Sequence, residues 1–141
     1  MEKSTEAQNT SFKSWAKAIF IWAFLFVWLS GMTAGLTAGA CRNDRYEGAK
    51  KLRFCNISLT AGAWMKMFPV ERSKRAIIQL ERGIALSQLG REENAVEAFE
   101  IALRDARSTS GPWEQNLSQR MVQLEDGKMR ALWVSVLESA D

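Results

Sequence analysis

The chain has 141 residues, 47 % of them hydrophobic, with 19 Lys and Arg against 16 Asp and Glu for a formal net charge of +3. That length holds one small domain, and so small and mixed a charge does not argue for nucleic-acid binding, which needs a basic face or run. No histidine is present, which removes the commonest general base near neutral pH and the commonest metal ligand together.

Residues 1–17 are polar, and Met1 to Ser14 reads as a disordered tail. From Ala18 to Ala40 the chain then runs AIFIWAFLFVWLSGMTAGLTAGA without a charge. As a helix this run is long enough to cross a hydrocarbon layer about 30 Å thick. Its first part, Ile19 to Leu29, is strongly apolar and carries Trp22 and Trp28, and its second part thins into Gly, Thr and Ala. Its length fits an uncleaved single-pass anchor. The flanking Lys13 and Lys17, the apolar core and the small-x-small triplet Ala38-Gly39-Ala40 fit a cleaved secretory signal. A lipoprotein signal ending at Cys41 is a third reading, although Ala38 stands where such signals usually carry Leu.

Two signals oppose each other on orientation. Arg42, Arg45, Lys50, Lys51 and Arg53 follow the apolar block and outnumber Lys13 and Lys17 before it, which places the following domain in the cytoplasm by the positive-inside rule. The small-x-small triplet and the cysteine pair favour export, because disulfides persist in oxidising compartments. The balance expected here is a single-pass membrane protein with its helical domain outside the cytoplasm, in the periplasm if the source is bacterial.

Residues 41–141 change to amphipathic helical spacing. Tyr46–Ala63 is a first helix, and Trp64–Pro69 (WMKMFP) breaks it. Glu71–Leu89 is a second, apolar on more than one side, which Gly90 ends as a C′ residue. Glu92–Arg104 is a third, with Ala95, Phe99, Ala102 and Leu103 on one stripe and carboxylates in its first turn, where the helix dipole favours them. After the polar break Ser108–Pro112, Trp113–Glu125 and Lys128–Ser139 read as two more helices. No stretch alternates as a strand does, so the expected fold class is all-α.

Within this region Ala76–Thr109, AIIQLERGIALSQLGREENAVEAFEIALRDARST, resembles a tetratricopeptide repeat. Gly83 and Leu86 stand at the small and large positions of the first helix, Gly90 at the turn, and Ala95, Phe99 and Ala102 at the contacts of the second. The departures are Gln79 at the early Trp position and Arg107 at the terminal Pro position. The helix before it resembles half of a degenerate repeat, and Trp113–Ser139 resembles a divergent repeat or a capping pair. The resemblance implies protein binding in a groove lined by the first helix of each pair. The positions carried over are Ile77, Leu80, Ile84, Ser87 and Gln88.

Three further features bear on function. Cys41 and Cys55 are 14 positions apart. In an exported chain a disulfide between them would stabilise the fold by about 3 kcal/mol in the loop-entropy account. Trp64, Met67 and Phe68 concentrate apolar surface in the first connector and offer a docking patch, a bilayer-interface contact or a lid on the core. Asn-x-Ser/Thr triplets at Asn9, Asn56 and Asn116 are acceptors only in a eukaryotic secretory protein. No phosphate-binding Gly loop or nucleophile elbow occurs, and the acids fall mainly on charged helix faces. The expectation is therefore a non-enzymatic, membrane-tethered scaffold or accessory subunit that binds a protein partner without cofactor or metal. A structural single-pass subunit of a larger membrane complex and an exported adaptor cleaved at Ala40 are the alternatives.

Overall fold

The computed structural model describes the backbone of residues 3–64 and 69–140 and the side chains of residues 15–64 and 72–140. Among the described residues there are six helices and no strand: α1 (Lys3–Cys41), α2 (Gly48–Ala61), α3 (Pro69–Gln88), α4 (Glu92–Arg107), α5 (Trp113–Gln123) and α6 (Gly127–Ser139). The fold is all-α. The chain divides into two compact units, Met1–Met32 and Thr33–Asp141. The second begins before the boundary at Cys41 that hydropathy suggests.

The first unit is the greater part of α1. The polar stretch expected to be disordered is helical from Lys3. Neither Gly nor Pro interrupts the chain before Gly31, and extending an existing helix avoids the cost of nucleating a new one. Trp15–Cys41 is long and apolar enough to cross a membrane, judged by length and composition. Phe20, Trp22, Phe24 and Phe26 are all largely exposed. Ser30 Oγ donates to the Val27 carbonyl at 3.0 Å. A hydroxyl bonded to its own helix in this way carries no unpaired donor into an apolar phase.

In the second unit the last turns of α1 pack on α2. Ala34 is buried, and the Ser58 hydroxyl donates to its carbonyl at 3.1 Å. Cys41 and Cys55 are joined in a fully buried disulfide, with Ile78 of α3 and partly buried Ala38, Phe54 and Leu59 around it. α2 and α3 are antiparallel: the Gly48 amide donates to Gln88 Oε1 at 2.9 Å, and Arg82 Nε to Asn56 Oδ1 at 3.1 Å.

α3 and α4 form the central hairpin. Their turn is a Schellman motif, with Arg91 N–H donating to the Leu86 carbonyl at 2.9 Å and Gly90 N–H to that of Ser87 at 2.9 Å. Gly90 sits at φ 72°, which glycine adopts without a Cβ penalty. Ala76, Leu80 and Ile84 on α3 meet Ala95, Phe99, Ala102 and Leu103 on α4, and Leu117 and Met121 of α5 and Met129, Trp133 and Val136 of α6 complete the same core. Trp133 meets Phe99 edge-on at 5.8 Å between ring centroids, a favoured aromatic geometry. Asp126 caps α6 by accepting from the amides of Lys128 and Met129 at 3.0 and 3.1 Å.

Candidate partner-binding groove

A cleft of about 510 Å³ opens between α3 and α5. Ile77, Leu80 and Glu81 come from α3, Trp113, Asn116, Leu117 and Arg120 from α5, and Arg42 and Asp44 from the loop that follows α1. Helical spacing sets the lining: Ile77, Leu80 and Glu81 share one face of α3, and Trp113, Asn116, Leu117 and Arg120 share one face of α5.

Three charged side chains of this lining, Asp44, Glu81 and Arg120, meet the buried Lys51 beneath it. Lys51 and Glu81 have side chains only 3 % exposed and pair at 2.6 Å between Nζ and Oε2. Arg120 Nε donates to Glu81 Oε1 at 2.9 Å, and its Nη2 reaches Asp44 Oδ1. Lys51 Nζ stands 3.5 Å from the same Asp44 oxygen. Glu81 is thus a buried carboxylate held between two cations, which is how a charge can be buried without prohibitive cost. The hydrogen bond that Asp44 accepts from Arg120, reinforced by the positive charges of Arg120 and Lys51, lowers the pKa of Asp44 against a smaller opposing effect of burial. Burial works to lower the pKa of Arg120, but hydrogen bonds to Glu81 and Asp44 together with their negative charges outweigh it and raise the pKa.

Of the groove positions carried over from the repeat resemblance, Ile77 and Leu80 line this cleft. Leu80 has no exposed surface and Ile84 only 1 %, both lying in the core against α4. Ile84 therefore faces the chain itself rather than a partner. Ser87 is half-buried, with its carbonyl used in the helix-ending turn, and Gln88 is exposed with its Oε1 occupied by the Gly48 amide. The start of α2 is hydrogen-bonded to the end of α3 through Gly48 and Gln88, so this end of the proposed groove is closed. Trp64 is 38 % exposed, while Met67 and Phe68 lie outside the described residues. The Cys41–Cys55 pair is bonded.

Helical spacing does not distinguish Lys51, Glu81, Arg120 and Asp44, because it assigns acids mainly to solvated faces. One signal was available. Glu81 falls four residues after Ile77 and three before Ile84, on an otherwise apolar face of a helix, and an acid in that setting needs a buried cation. No protein-family model matches the chain, and neither a curated protein nor a solved structure matches it.

Proposed function

We propose that this chain is a membrane-tethered protein-interaction module whose stacked helix hairpins resemble tetratricopeptide repeats and hold a partner in the α3–α5 cleft. The observation that carries this reading is the cleft itself, apolar at Ile77, Trp113 and Leu117 and charged at Arg42, Asp44 and Arg120. A mixed lining of this kind suits a peptide better than a flat surface does. The close approach of α3 and α4 at Gly83 supports the likeness to a repeat.

The reading includes a retained single-pass anchor. Ala34 and Ala38 pack with α2, so cleavage after Ala40 would strip the domain of part of its own packing. The Cys41–Cys55 disulfide, of a kind that persists under oxidising conditions, supports a domain outside the cytoplasm. No reacting group is assigned to the cleft, which is read as a binding surface.

A photo-reactive residue at Asn116, in the cleft, and another at Glu97, exposed on α4, test the reading in cells. A discrete cross-linked protein from position 116 and none from position 97 is expected. The same products from both positions, or none from either, would overturn it. An N-terminal sequence starting at Cys41 in the membrane-free fraction would remove the anchor.

A further inference from the structure

Resting on the reading of the cleft as a partner groove, we propose that its ligand is an acidic segment of the partner protein, and that Asp44 is the chain's own stand-in for the partner's carboxylate. Arg120 is fixed from below, because its Nε is taken by Glu81, and Glu81 is neutralised in turn by Lys51. That leaves Nη2 of Arg120 to the cleft, where Asp44 takes it from the rim. The two carboxylates on Arg120 differ in kind. Glu81 is 3 % exposed, whereas the Asp44 side chain is 68 % exposed.

Asp44 is therefore the acid that can leave without opening the core. An ion pair so open to water contributes little to stability, and a partner's carboxylate taking its place forms an equivalent charge-assisted bond. With Asp44 turned away, the cleft keeps Arg42 and Arg120 against Glu81, whose charge the buried Lys51 already offsets, so the lining carries surplus positive charge. Arg42 is exposed on the rim and makes no ion pair among the described residues, so it is free to meet a second carboxylate. Ile77 and Trp113, both half-buried, give the apolar wall against which a neighbouring aliphatic side chain of the ligand packs. Charge complementarity thus selects the ligand: a carboxylate flanked by an aliphatic residue.

The test uses the full chain in detergent micelles and fluorescence anisotropy of a labelled octapeptide with two adjacent aspartates flanked by leucines, its C-terminus amidated. A second peptide replaces both aspartates with asparagine. A third is that asparagine peptide with a free terminal carboxylate. The aspartate peptide is expected to bind about tenfold more tightly than the amidated asparagine peptide. Asp44→Asn removes the internal competitor and tightens binding of the aspartate peptide by about three- to tenfold, and Arg42→Gln weakens it by a similar factor. Both substitutions are at the exposed rim, so each variant keeps the core intact. Tight binding by the third peptide would identify the carboxylate as a chain terminus rather than a side chain, with the same chemistry. Equal binding of the aspartate and amidated asparagine peptides, or an Asp44→Asn variant that binds no better than the parent, would overturn the inference. A cross-link from position 116 without preference for acid removes this inference and leaves the groove. Acid-dependent peptide binding without any cross-linked protein removes the protein partner instead.

Discussion

Gly83 of α3 lies so close to the ring of Phe99 on α4 that a Cβ at this position would stand 2.4 Å from Cε1 and 2.5 Å from Cδ1. Two helices carrying ordinary side chains cannot meet at this distance. The contact sets the spacing of the central hairpin and hence the height of α3 above the α4 layer.

Gly83→Ala should accordingly destabilise the domain by about 1–3 kcal/mol, the usual cost of overpacking. Phe99→Leu in the same chain should recover part of the loss, since the smaller side chain vacates the clash. Urea unfolding of the full chain in micelles, followed by tryptophan fluorescence, reads both. An alanine variant as stable as the parent would show that the hairpin can widen.

Lys51 is the buried partner of Glu81, so Lys51→Met leaves a carboxylate 3 % exposed with Arg120 as its remaining cation. Removing one partner of a buried pair costs about 3–5 kcal/mol, and the remaining bond to Arg120 places the expected loss near the lower end. The double variant Lys51→Met, Glu81→Leu should be more stable than Lys51→Met alone. A double-mutant cycle in urea separates the pair from its surroundings.

Asp44 gives a pH signature. Its folded pKa lies below the ordinary 3.8, so the contribution of its carboxylate to stability is fully present above that ordinary value and fades as pH falls through the lower folded one. The stability difference between the parent and Asp44→Asn should be constant from about pH 7 down to about pH 5 and shrink below about pH 4. Midpoints of thermal unfolding across that range measure it. A difference that grows toward acid would reverse the sign and exclude the ion pair as its origin.

The Cys41–Cys55 bond closes a loop with a sequence separation of 14, for which chain entropy gives a stabilisation of about 3 kcal/mol. Cys55→Ser should lower the unfolding midpoint accordingly. In the parent, both thiols should resist alkylation by a maleimide-polyethylene glycol until the protein is unfolded and reduced. Labelling of the unfolded but unreduced protein would show that the bond does not form in its own compartment.

Much of the helical layout was legible from spacing. The α4 stripe Ala95, Phe99, Ala102 and Leu103, the stop at Gly90 and the break before Trp113 are local patterns, and the structure places helix ends within a few residues of them. The start of α1 at Lys3 was not legible, because polar residues appended to a strong helix gain from propagation and not from their own composition. The cleft was half legible: repeat spacing pointed to Ile77 and Leu80 on α3. It could not supply Arg120 or Asp44, which are 76 residues apart in sequence and meet only through the tertiary fold. Spacing also could not show that Gln88 would be claimed by the Gly48 amide 40 residues before it.

The loop between α1 and α2 is tied at both ends and in its middle, by the disulfide at Cys41, by Asp44 on Arg120 and by the Gly48 amide on Gln88. A residue more or less between Cys41 and Asp44 would shift the carboxylate along the chain by about 3.3–3.6 Å, enough to lose Arg120. Among the described residues the turn at Ser108–Pro112 makes no side-chain bond to a distant helix: the Trp113 indole bonds the nearby Ser110 carbonyl, and the Arg107–Glu114 pair that spans the turn is exposed. Changes in chain length are therefore far better borne after α4 than before α2. The count of residues from Cys41 to Gly48 belongs to the cleft as much as do the side chains that line it.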